Sequence, residues 1–191
     1  MFDLSILIPS VLNGLTTGAI YALIALGLTL IYGVLHIINF AHGASLMLAL
    51  YAVYILHTKF GITPYWALPI LIPGMFLLGY GLQKIVINRS SHGRDENILL
   101  VTLGISIVME NLALLVFRSD TQTIETDLTL AVVEIGPAFI STPKVIAFGG
   151  ALLSSLILYL LISKTDLGRA IRAVSKEKAG ARLMGIDVDH V

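Results

Sequence analysis

Apolar positions run almost unbroken from Leu4 to Thr58, and no Asp, Glu, Lys or Arg lies between Asp3 and Lys59. A bilayer core about 30 Å thick needs roughly 20 apolar residues per helix, so this stretch is long enough for two spans and their connection. The polar break within it, His36, Asn39, His42 and Gly43 in VLHIINFAHGASLML, marks that connection. The pattern predicts helix one from about Pro9 to Leu35 and helix two from about Ala41 to His57. Three further spans are predicted from about Trp66 to Ile87, Ile98 to Phe117 and Lys144 to Ser163. The fold expected is all-α, a polytopic bundle of about five transmembrane helices.

Composition agrees with a lipid environment. The chain is 57% hydrophobic and 13% charged, about half the charged fraction of an ordinary soluble domain. The N-terminus MFDLSILIPS has an acidic residue and no basic one, unlike a signal peptide, so it is expected to remain as the first span. There is no cysteine, which excludes a disulfide framework, a Cys-based zinc site and a thiol nucleophile.

Basic residues set the expected orientation. Lys84, Arg89 and Arg94 follow span three, and Lys164, Arg169, Arg172, Lys176, Lys178 and Arg182 follow span five. By the positive-inside rule both groups are cytoplasmic, and residues 118–143, with Asp120, Glu125, Asp127 and Glu134, face outward. The junction at Asn39 is then cytoplasmic and the N-terminus external. TLAVVEI in the outer loop has strand-like composition.

Several polar or irregular positions stand out within the spans. Gly14, Gly18 and Ala22 recur every four residues, a small-residue face that lets a neighbouring backbone approach. Pro69 and Pro73 predict a kinked or interrupted third span, because each removes an intrahelical hydrogen bond. Glu110, beside Asn111, costs around 3 kcal/mol at membrane depth and should turn away from lipid. It is either a polar group on a translocation route or a helix-to-helix hydrogen bond. His36 and His42 are poorly spaced for a shared metal and no acidic cluster stands near them. Asn39 and His42 suit capping of the two helix ends. Asn39, His42, Glu110 and Asn111 are the candidate pathway residues; no metal or cofactor is expected.

GLTLIYGVLHIINFAHGASLML and KTDLGRAIRAVSKEKAGARLMGIDVDHV together resemble the membrane permeases of branched-chain amino acid ABC importers. The resemblance covers essentially the whole chain. It implies a permease subunit in the cell inner (plasma) membrane that imports branched-chain amino acids. The implied partners are ABC ATPase subunits, a second permease, a periplasmic or extracellular substrate-binding protein and the lipid bilayer, with no nucleic acid. Urea and short-amide importers share both motifs, and an ion-coupled secondary transporter is the alternative of a different class. No GxxxxGK[ST] occurs, so hydrolysis must come from a partner, and an intramembrane enzyme would need a dyad where only Glu110 is acidic.

The expected division is a transmembrane domain, residues 1–163, and a cytoplasmic ATPase-coupling segment, residues 164–191. Within the latter, Gly168, Arg169, Arg172, Ala181, Leu183, Met184 and Gly185 are the expected coupling residues, with Gly185 at positive φ ending a short helix. The family's Glu-Ala-Ala-x-x-x-Gly reads here Ala179, Gly180, Ala181 and Gly185, so the glutamate is lost. Ala44 stands where an acidic residue often follows the family's NFAHG. The family's permeases continue past this loop, which suggests a fragment or one part of a split permease.

Overall fold

The computed structural model describes residues 4–35, 38–87, 89, 95–118, 120–126, 128–129, 131–135 and 138–186. His36, Arg94 and Asp127, invoked above, lie outside them. Seven α-helices occur among the described residues: α1 (Leu4–Leu35), α2 (His42–Phe60), α3 (Pro64–Leu82), α4 (Asp95–Phe117), α5 (Thr142–Lys164), α6 (Asp166–Lys176) and α7 (Lys178–Leu183). One π-helical turn, Gln83–Ile87, extends α3. Strands β1 (Val132–Ile135) and β2 (Ala138–Ser141) make an antiparallel hairpin. Five segments are long and apolar enough to cross a membrane: Ile6–Gly33, His42–Phe60, Pro64–Ile87, Asn97–Phe117 and Thr142–Lys164. Each predicted span is present, with ends shifted by a few residues, and the fold is an all-α polytopic one.

Of the kink or interruption expected in the third span, the interruption does not occur. α3 is not interrupted at Pro69 or Pro73 but runs continuously from Pro64 to Leu82. The irregularity lies instead beyond both prolines, in the π turn. Pro64 sits in the first turn, where its missing N–H would have had no intrahelical partner, and the flanking bonds carry the helix past the two interior prolines.

The helices gather into two compact units. The first contains α1, the hairpin, α5, α6 and α7. Here α1 packs along α5, burying Thr16 and Ala151. Lys144 Nζ donates to Asn13 Oδ1 at 3.3 Å, so the start of α5 lies beside the start of α1. Within the hairpin, Val133 pairs with Ile140 and Glu134 with Phe139. The period of two turns Ile140 inward, 1% exposed, and Phe139 outward. The predicted strand-like segment is β1.

The second unit contains α2, α3, the π turn and α4. Its helices meet at alanines: Ala44 on α2, Ala67 on α3 and Ala113 on α4 are all buried. Side chains this small let helix axes approach closely, which is how packing is achieved where lipid tails match the apolarity of the helices. Tyr51 stacks on Phe117 with ring centroids 4.0 Å apart, tying α2 to the end of α4.

Truncating Ile140 to Ala leaves a cavity where the hairpin meets α1. The detergent-solubilised protein should lose about 2–4 kcal/mol, read as a lower thermal unfolding midpoint, whereas Phe139→Ala on the outward face should leave the midpoint nearly unchanged.

Candidate functional site

At the junction preceding α2, a short irregular segment must satisfy its backbone groups close to hydrocarbon. Asn39 does this twice: its Oδ1 accepts the Ala41 N–H at 3.0 Å and its carbonyl accepts the His42 N–H at 3.2 Å. Ser45 adds a bond from Oγ to the Ala41 carbonyl at 2.8 Å. Asn39 therefore satisfies backbone groups ahead of α2, but the N-cap is Ala41 and no side chain caps the helix, while His42 occupies the first helical position, half-buried. His36 lies outside the described residues.

One contributor escaped the sequence reading. Thr102, on α4, is 1% exposed, and its Oγ1 accepts the Phe40 N–H at 3.3 Å while donating to the Leu99 carbonyl at 3.0 Å. A lone threonine in an apolar helix gives no sequence signal, because most such hydroxyls bond back to their own helix. Here the second lone pair fastens α4 to the junction. Ala44 is 3% exposed. A carboxylate there would need a partner the packed methyl does not.

Glu110 and Asn111 are not gathered with that junction. Thr102, Ser106, Met109 and Ala113 form the buried stripe of α4, and Glu110 and Asn111 are exposed. The hydrogen bond that Glu110 makes among the described residues is intrahelical: Ser106 Oγ donates to Oε1 at 2.9 Å, one turn back. Asn111 Nδ2 donates to the Ile107 carbonyl at 2.7 Å. The face with Gly14 and Gly18 is exposed as well, and a Cβ at either glycine would meet nothing within 4 Å. That face of α1 does not make the helix contact expected of it, because α1 uses the side bearing Thr16.

The residues expected to couple to an ATPase separate into two groups. Gly168 is buried against the end of α5, where a Cβ would strike the Ile162 and Leu161 carbonyl oxygens. Arg172 donates to the Ile162 carbonyl. Arg169 pairs with Asp166 on the exposed side of α6, a contact worth little in water. Farther on, α7 ends in a Schellman turn: the Gly185 N–H reaches the Arg182 carbonyl at 3.1 Å and the Ile186 N–H the Ala181 carbonyl at 3.1 Å. Gly185 has φ +80°, as predicted. Ala181 is buried, whereas Leu183 and Met184 are 89% and 83% exposed. Among the described residues no group of three His, Asp or Glu is placed to hold a metal ion.

Thr102→Val keeps the shape of the side chain but strands the Phe40 N–H. It should lower stability by about 1–3 kcal/mol, measured as a shift in thermal unfolding in nanodiscs; Thr102→Ser, which keeps the hydroxyl, should lose clearly less.

Comparison with known proteins gives these elements a context. Residues 10–191 match the family described as the permease component of the branched-chain amino acid transport system. The chain is 28% identical over 96% of its length to the high-affinity branched-chain amino acid transport system permease protein BraD of Pseudomonas aeruginosa, covering 64% of that protein. It is 28% identical over 94% of its length to LivH of Escherichia coli K12, covering 62%. A probable branched-chain amino acid transport permease protein of Methanocaldococcus jannaschii is 32% identical over 87% of the chain, with 54% of that relative covered. The chain thus spans less than two thirds of the length of these relatives. No solved structure matches it. With five membrane-length apolar helices, it is a multi-pass protein of the inner (plasma) membrane, and it belongs to the family of branched-chain amino acid transport system permease components.

Proposed function

We propose that this chain is the permease subunit of an ABC importer, forming part of the route by which branched-chain amino acids cross the membrane. The observation that carries this reading is the family match from residue 10 to residue 191, which includes both the junction at Asn39 and the segment after α5. In this reading the chain is not itself an enzyme. ATP hydrolysis belongs to partner ATPases, substrate delivery to a binding protein, and a second permease completes the route.

Residues 1–163 form the transmembrane domain and residues 164–191 the cytoplasmic coupling segment. The basic residues after α5, Lys164, Arg169, Arg172, Lys176, Lys178 and Arg182, support that orientation. Leu183 and Met184, nearly fully exposed at the tip of α7, are suited to enter an apolar cleft of the ATPase. Ala181 and Gly185 shape the turn that presents them. Asn39 and His42 stand at the cytoplasmic end of the route, while Glu110 and Asn111, on an exposed face of α4, meet the pathway or a neighbouring subunit.

Because the chain has no cysteine, single labels report topology directly. Thr123→Cys should react with an impermeant maleimide added outside intact cells and Lys176→Cys only after the membrane is opened; the opposite pattern refutes the orientation. Leu183→Asp combined with Met184→Asp should leave membrane insertion intact but cut co-purification of the ATPase roughly tenfold or more, as for buried interface anchors. Leucine uptake by the complete transporter should fall with it. Uptake that survives ATP depletion but stops with loss of the proton gradient would replace this reading by ion coupling.

A further inference from the structure

A helix leaving the membrane normally keeps its last carbonyls hydrated. At the end of α5 two of them, those of Leu161 and Ile162, are taken up by the chain itself. The Thr165 N–H reaches the Leu161 carbonyl at 3.3 Å, and the Thr165 hydroxyl donates to the same oxygen. The Thr165 hydroxyl also accepts the Gly168 N–H at 3.1 Å and so caps α6. Arg172, one turn further, returns to the Ile162 carbonyl. Its cation meets the negative end of the α5 dipole there, which strengthens the contact.

The return is so close that no side chain fits at Gly168. Val174, 5% exposed, closes the inner face of α6, which also packs against α1. Beneath this turn Ser163 Oγ is buried with no hydrogen-bond partner among the described residues. Burying an unpaired hydroxyl costs free energy. The closed turn is therefore held against an internal penalty by the bonds of Thr165 and Arg172.

We infer that the turn from Ile162 to Arg172 is a locked joint, fastened by Thr165, Gly168 and Arg172, which makes α6 move as one body with α5. Arg172 is then a positioning residue rather than a docking one. The inference rests on the proposed function in one respect: if α7 engages an ATPase, a rigid joint carries its displacement into span five, and a loose one dissipates it.

The experiment uses the complete transporter in nanodiscs, with spin labels at Tyr159→Cys on α5 and Lys176→Cys on α6, and reads their distance distribution by electron–electron resonance. The otherwise unchanged chain should give one narrow distance. Arg172→Ala should shift the ratio of closed to open joint about fivefold toward open, the effect of one exposed charge-assisted bond, seen as a broadened distribution. Arg172→Lys, which retains a cationic donor, should restore most of the narrow peak. Ser163→Ala should be no broader than the unchanged chain, since it removes the unpaired hydroxyl. An Arg172→Ala distribution as narrow as the unchanged one, or a Ser163→Ala distribution that broadens, overturns the lock.

The same samples in proteoliposomes report leucine imported per ATP hydrolysed. Arg172→Ala should retain the ATPase and hydrolyse ATP while this ratio falls several-fold. A broadened joint with an unchanged ratio overturns the positioning assignment. If the unchanged transporter imports no leucine, the proposed substrate fails, and the distance measurement still decides whether the joint is locked.

Discussion

Within a bilayer every backbone N–H and C=O must find a partner in the protein, because no water is available to replace one. Long helices meet that demand along their length, and the burden falls on their ends. In this chain several joints are closed by an identifiable device. Asn39 satisfies backbone groups ahead of α2, and Gly61 and Ile62 return N–H groups to the His57 and Leu56 carbonyls at its close. Thr165 and Arg172 take up the end of α5. Interior polar residues follow the same rule. Ser10, Thr29, Thr58 and Asn111 each bond a carbonyl one turn back, so their polar atoms are satisfied without leaving their own helix.

Once the backbone is satisfied, packing rather than water exclusion must hold the helices together, and that selects small side chains. Among the described residues the buried apolar positions of the spans are mostly alanines, Ala44, Ala67, Ala113 and Ala151, while most Leu, Ile and Phe side chains point outward. This inverts the distribution in a soluble protein. A large outward side chain in lipid loses nothing, whereas a large inward one would separate two helix axes and forfeit many weak contacts. The larger buried side chains are Met109 within α4, Ile87 at the end of span three, and Ile140 where the hairpin meets α1, the last outside the spans, where apolar burial again has its aqueous value.

The span pattern was legible because hydropathy over some 20 residues integrates many positions, and errors at single residues cancel. Facing could not be read in the same way. Gly14 and Gly18 have the spacing of a packing face yet lie exposed, while isolated alanines that form no motif are buried. Nothing in an apolar helix tells lipid from protein, since both favour the same residues. Thr102 was missed for a related reason: its neighbour Phe40, in the junction before α2, lies 62 positions away, and neither residue is unusual in its own segment. Glu110 was singled out by its cost, but a nearby Ser106 supplies a local hydrogen bond, so the expected partner on another helix is not needed. Gly185 was legible, because a glycine after a short helix is a local signal with a local cause.

The segment after α5 combines both kinds of constraint. A Schellman turn requires a carbonyl three positions from the helix end and a residue tolerant of positive φ just past it; Ala181 and Gly185 supply these. Ala181 must also be small, being buried. Both positions act on shape. Leu183 and Met184, exposed on the same turn, are therefore held in their geometry by backbone bonds and packing rather than by charge.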